Sequence, residues 1–279
     1  MRNISIFFSV SLENFRKWPA NPRIYILFLT LIMIINLYTS PFLDASNSLE
    51  IPITPWIYPY LTCNPYFLLF SMLGIVLLFC DAPFFDNTQP YVLVRCGKKK
   101  WIKGQILYII GASAVYFLIA ILLSILFLSS NMQWSSEWGK VFGTLAQTDI
   151  ESIAQVPYKV QFLYSPIQAM AMSFLFSWMI GVFLGIVIFA VNMNFNRAWG
   201  SVLASAFIVM VVFARNAPFI VTYFSPVSWA SLDIIDPTDA TKYPSVLFAG
   251  ITLCVMIIIL SILASKSFKR KNIVFLPSI

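Results

Sequence analysis

Residues Ile106 to Ser129 read ILYIIGASAVYFLIAILLSILFLS, a run with no Asp, Glu, Lys, Arg or His. A helix rises 1.5 Å per residue, so about 20 mostly apolar residues cross a hydrocarbon core some 30 Å thick. This stretch is long enough to span a bilayer. The surrounding chain is built in the same way: of 279 residues, 59% are apolar and 10% are charged, whereas an ordinary soluble domain is about 25% charged. That excludes the soluble globular classes and predicts an all-α polytopic membrane protein. Ten glycines and no His leave little for a nucleotide-binding loop, a histidine metal site or histidine acid-base catalysis. Cys63, Cys80, Cys96 and Cys254 contain no C-x-x-C pair, so neither a zinc site nor a disulfide framework is implied. They read as apolar fillers.

Working outward from that run, five more stretches qualify or come close: Ile24 to Ser40, Tyr66 to Cys80, Ile167 to Val191, Ser201 to Ala214 and Val246 to Ser265. The predicted fold therefore has six transmembrane helices. Tyr66 to Cys80 and Ser201 to Ala214 are short as apolar runs and must borrow flanking residues. Asn21-Pro22, Asn64-Pro65 and Ser165-Pro166 each place an N-cap residue before a proline at the first helical turn, which fixes three of the starts.

Basic residues set the orientation. Arg2, Arg16, Lys17, Arg23, Arg95, Lys98, Lys99, Lys100, Lys103, Arg197, Lys266, Lys269, Arg270 and Lys271 fall on one side. Lys140, Lys159, Arg215 and Lys242 fall on the other. Both termini are thus expected in the cytoplasm of a multi-pass plasma-membrane protein, with Cys63 outside and Cys96 inside. The net charge of +7 is a topology signal and gives no reason to expect nucleic acid as a partner.

Before the first span, Ile4, Phe7, Phe8, Leu12 and Phe15 fall at helical spacing, while Ser5, Ser9, Glu13, Arg16 and Lys17 take other faces. Residues 1–20 are expected to form an amphipathic helix lying in the cytoplasmic membrane interface, with a frayed terminus as the bland alternative. Outside, Pro41, Pro52, Pro55 and Pro59 with Trp56, Tyr58 and Tyr60 read as a stiff cap with interfacial aromatics. In the 215–245 segment, Pro218 to Phe224 is apolar and suits either a re-entrant turn or a loop resting on the outer leaflet.

The six spans hold no Asp, Glu, Lys or Arg. Ion-coupled transporters keep such residues at membrane depth, so ion coupling is disfavoured. Intramembrane acid-base or metal catalysis meets the same objection. No G-x-x-x-x-G-K-[ST] occurs, so the chain has no P-loop. The expectation is a non-enzyme with no cofactor of its own, which draws energy for any uphill work from another chain. Asn36, Ser71, Ser113, Ser124, Gln168, Ser173 and Ser177 are polar within the spans. They suit a cargo pathway or, more commonly, helix-helix hydrogen bonds; the pathway itself is not assigned.

Between the second and third spans lies DAPFFDNTQPYVLVRCGKKKWIKGQ, Asp81 to Gln105. Asn87 or Thr88 can cap a short helix, Pro90 suits its first turn and Gly97 its end. Tyr91 to Val94 also fit a strand on propensity, but an isolated strand has no partner there. A capped apolar element carrying Thr88, Gln89, Pro90, Tyr91, Val92, Leu93, Val94 and Arg95 suits insertion into a groove on a soluble partner. Lys98, Lys99, Lys100 and Lys103 are expected to hold the third span's entrance at anionic lipid.

The whole layout resembles an ABC transporter permease of the type-2 exporter class. The resemblance rests on the six spans, the interfacial helix, the cytoplasmic termini, the element P-Y-V-L-V-R-C-G-K-K-K-W and the apolar segment after a short fifth span. It implies one permease domain over 1–279, paired with a second copy and bound to separate ATP-binding-cassette subunits that hold ATP and Mg. Thr88 to Arg95 would be the coupling helix, and the Asn3 to Phe15 helix would also touch the ATPase. A hydrophobic or amphipathic cargo is expected, exported peptides first and drugs or lipids second. The competing readings are a six-span substrate-capture subunit of a vitamin importer, and a passive channel or structural membrane protein.

Overall fold

The computed structural model describes residues 2–84, 89–147, 156–195, 198–238 and 241–270. Thr88 and Asn87 lie outside the described residues, as do the side chains of Ile4 and Pro90. The described chain is all-helical. In order it forms α1 (Arg2–Arg16), α2 (Pro22–Leu49), α3 (Tyr58–Cys63), α4 (Pro65–Phe79), α5 (Gln89–Cys96), α6 (Lys98–Leu128), α7 (Lys140–Gln147), α8 (Tyr158–Leu163), α9 (Pro166–Asn194), α10 (Trp199–Asn216), α11 (Phe219–Phe224) and α12 (Val246–Arg270). Among the described residues, α2, α6, α9, α10 and α12 are long and apolar enough to cross a membrane, while α4 is apolar with 15 residues.

The starts follow the local chemistry. Asn21 Oδ1 accepts from Arg23 N at 3.1 Å, and Asn64 Oδ1 accepts from Tyr66 N and Phe67 N. Ser165 N donates to Gln168 Oε1 at 3.2 Å. The ends depart further from the sequence expectation. The first span does not stop at Ser40: α2 runs through Pro41 to Leu49. Proline deprives the carbonyl four residues back of its donor, and here the Ser40 hydroxyl donates to that carbonyl, Leu37 O, at 3.2 Å.

The buried centre is α9, which packs against α4, α6, α10 and α12. Its Gly181 and Gly185 leave room for Phe117 and Ile75 and for Phe79 and Ile109, the small-residue contact that lets apolar helices approach where lipid competes for the same surfaces. Hydrogen bonds also cross between the long helices: Tyr116 Oη donates to Ser71 O at 2.9 Å, and Trp178 Nε1 to Ile110 O at 2.9 Å.

At the end away from α5, α3, α7, α8, α11 and the turn Pro226–Ala230 form a cap. Tyr58 and Tyr60 are buried in it rather than facing a membrane interface; Tyr60 packs on Trp138 and Phe142, with ring centroids 5.0 and 4.9 Å away. Cys63 is buried as well.

Candidate functional site

The short helix α5 is fixed on one side and open on the other. Gly97 adopts φ +77°, a left-handed conformation open to glycine at no steric cost. Its N–H closes α5 on Leu93 O at 2.8 Å, and its carbonyl accepts from Trp101 N at 3.1 Å, opening α6. Gln89 is fully buried, and its Oε1 accepts from Trp101 Nε1 at 2.6 Å. Leu93, one turn on, is 6% exposed. Tyr91 and Val94 point the other way at 75% and 80% exposure, beside an exposed Arg95 and a half-buried Val92. Leu93 is therefore an anchor within the chain, and the residues offered outward are Tyr91, Val94 and Arg95.

Trp101 carries this anchor into the bundle. Its indole stacks on Phe268 of α12 with centroids 5.0 Å apart and lies 6.4 Å from Phe189 of α9. At the start of the same loop, Ala82 O accepts from Asn192 Nδ2 of α9 at 2.9 Å, and Asp81 pairs with Arg23 at the foot of α2. Both sides of the loop are thereby tied to long helices, Trp101 to α9 and α12, Ala82 to α9 and Asp81 to α2.

α1 docks beside it on α6. Gly104 is the close approach: a Cβ there would meet Val10 Cβ at 2.6 Å and Phe7 O at 3.0 Å. Asn14 Nδ2 donates to Gln105 Oε1 at 2.6 Å, and Trp18 Nε1 to Tyr108 Oη at 2.9 Å. The side facing protein is Val10, Ser11 and Asn14, all buried, whereas Phe8 and Leu12 are 48% and 55% exposed and Phe7 and Phe15 half-buried. The face read from apolar spacing thus points only partly inward; the small and amide side chains make the close contact with α6.

The opposite end holds a second polar cluster that sequence reading did not single out. Arg215 Nη1 donates to Cys63 O at 2.7 Å and to Asp233 Oδ2 at 2.9 Å. Asp233 Oδ1 accepts from Ser231 Oγ at 2.5 Å, and Lys159 Nζ donates to Asp233 O at 2.8 Å. Cys63 O is available because Asn64 caps α4 and takes Phe67 N, its ordinary helical donor. Burial, reinforced by the Asp233 charge, pushes the Cys63 thiol up to about 12, so it is not a nucleophile near neutrality. Burial also lowers Lys159 and pushes Tyr164 up to about 12. Asp236 is held well below the usual carboxylate range by hydrogen bonds from Thr241 and Thr238. The cluster joins α3, α8 and α10 and presents no paired nucleophile and base.

Within the spans, Ser71, Ser113 and Ser124 donate to carbonyls of their own helices, and Ser177 Oγ lies 3.4 Å from Tyr58 Oη. Gln168 serves the α9 start, and Ser173 Oγ is buried without a partner among the described residues. Asn36 faces outward in a surface groove between α2 and α4, while Gln168, also exposed, lies at the start of α9. Comparison of the chain with protein-family models, curated proteins and solved structures finds no match.

Proposed function

We propose that this chain is the membrane-spanning subunit of an ATP-driven exporter, working as two copies with separate ATPase subunits. The observation that carries the reading is α5, a short helix pinned by Gln89 and Leu93 with Tyr91 and Val94 turned outward. Large apolar side chains presented on a short rigid element, close to the basic residues that mark the cytoplasmic side, suit a groove on a soluble protein. Its connections through Trp101 and Ala82 to α9 and α12 give a path by which movement of a bound ATPase would reach the spans. The reading is supported by the lack of a P-loop motif and of charges in the sequence-assigned spans, which suits an energy source in a partner chain. α4 serves as the sixth crossing in this reading, with α1 lying at the membrane surface through Phe8 and Leu12. A hydrophobic or amphipathic cargo, peptide first, fits walls rich in Phe, Leu and Ile.

The reading is tested by isolating the tagged chain from its native membrane in mild detergent. A soluble-type ATPase should copurify and should be lost on Tyr91→Asp while the chain stays in the membrane. Uphill transport by the chain alone, driven by an ion gradient, would overturn it.

A further inference from the structure

The outward face of α2 carries a pattern that contacts within the chain leave unused. Ile26, Leu29, Met33, Asn36 and Ser40 recur at intervals of three and four residues, the a/d spacing of a helix-helix seam. The first four are exposed, and Ser40 is half-buried. Phe70 of α4 flanks a groove of about 490 Å³ along this seam. By rise per residue, Asn36 lies about 18 Å along the helix from Ile24 and about 12 Å from Asp44. It therefore sits well inside the uncharged stretch. Its amide has no partner among the described residues, whereas the Ser40 hydroxyl is taken by Leu37 O. An amide left facing hydrocarbon is costly, so this face calls for an occupant with a matching polar group at the same depth.

Two copies inserted in one orientation are related by a twofold axis along the membrane normal. Across such an axis α2 meets α2 in parallel, and each residue lies opposite itself at equal depth. An asparagine amide donates and accepts, so Asn36 is complementary to its own copy, and a single polar seam position sets register and copy number. Lipid tails offer nothing to the amide, and a passing cargo would leave it bare between transport cycles. We infer that a second copy of this chain packs its α2 against this face, with the two Asn36 amides hydrogen-bonded to each other. This deepens the two-copy part of the reading above and requires only membrane insertion in one orientation.

The experiment introduces single cysteines into a cysteine-free full-length chain at Ile26, Leu29 and Met33, with Leu122 of α6 and Ile251 of α12 as exposed controls. Membranes are oxidised with copper phenanthroline, and insertion is checked by blot. A disulfide-linked dimer of the chain should form at the α2 positions and not at the controls. In the Met33→Cys background, Asn36→Leu should weaken dimer formation about three- to thirtyfold, the range of one interhelical hydrogen bond in lipid, and Asn36→Gln should restore part of it. Crosslinking at Leu122 or Ile251 instead, adducts to a different protein, or an Asn36→Leu dimer at parental yield would each overturn the inference. If ATPase copurification survives while α2 fails to crosslink, only this face is wrong; if α2 crosslinks and no ATPase is found, only the exporter reading fails.

Discussion

Tyr91→Ala removes the largest side chain that α5 offers outward. An aromatic side chain buries roughly 150–250 Å² when enclosed, and Tyr91 is 75% exposed, leaving roughly 110–190 Å² for a partner to cover. At about 25 cal/mol per Å² the ceiling is about 3–5 kcal/mol. Interface truncations recover only part of such a ceiling, with about 2 kcal/mol marking a hot spot, so the proposed ATPase partner should bind about thirtyfold more weakly. Val94→Ala removes less area and should cost about 1 kcal/mol, or fivefold. Leu93→Ala acts differently: Leu93 is 6% exposed, so truncation costs about 2–5 kcal/mol of packing within the chain and loosens α5 itself. Leu93→Asp has the same ambiguity and cannot isolate the partner contact. The assay is titration of the purified ATPase onto each variant in nanodiscs, with thermal denaturation of each variant alone. Tyr91→Ala should leave the denaturation midpoint unchanged and weaken binding, and Leu93→Ala should change both. Parental ATPase affinity for a Tyr91→Ala/Val94→Ala double variant would refute the argument that this face is the docking surface.

Gly104→Val should lift α1 from α6, because its Cβ would fall 2.6 Å from Val10 Cβ and 3.0 Å from the Phe7 carbonyl; overpacking of this kind costs about 1–3 kcal/mol. Trypsin accessibility at Arg16 and Lys17 in membranes should rise, and unchanged protection would contradict the docking. Arg215→Met leaves the partly buried Asp233 unpaired, and after discounting for solvent exposure the loss should be about 1–3 kcal/mol. That lowers the melting point by on the order of 5 °C, with partial recovery in Arg215→Met/Asp233→Leu. The depressed Asp236 carboxyl contributes stability that is complete above its unfolded value of about 3.9 and is lost as pH falls below it. Protection factors over 231–238 and 241–245, corrected for the fall of intrinsic exchange with pH, should hold from pH 7 to about 4 and drop in more acid buffer; loss of protection near pH 6 would contradict this. For topology, Lys99→Cys should resist an impermeant thiol reagent in intact cells and Trp134→Cys should react. Cys63 cannot serve as the outside probe because its thiol is buried and pushed up to about 12.

The long apolar runs and the Asn and Ser caps were legible in sequence because hydrophobic length and local hydrogen bonding depend on few residues. Which face of each helix meets protein was not. In a membrane both lipid and neighbouring helices are apolar, so the spacing of Phe8 and Leu12 could not tell a lipid-facing side from a protein-facing one, and Val10, Ser11 and Asn14 took the contact instead. The same ambiguity concealed that Leu93 anchors while Tyr91 points away. Continuation of α2 past Pro41 goes with one hydroxyl, Ser40, reaching Leu37 O, a compensation that no apolar run reveals. The Arg215 cluster joins residues 63, 159 and 233, a juxtaposition that no local pattern announces.

The most direct test of the central claim is the composition and activity of the complex that the chain forms in its own membrane. Native mass spectrometry of the affinity-purified complex, with ATP hydrolysis measured on the same sample, should find two copies of this chain with ATPase subunits. Hydrolysis should be present for the parental chain and lost with the ATPase subunits in a Tyr91→Asp/Val94→Asp variant. A complex without an ATPase, or one whose composition and hydrolysis are indifferent to those two substitutions, would contradict the account.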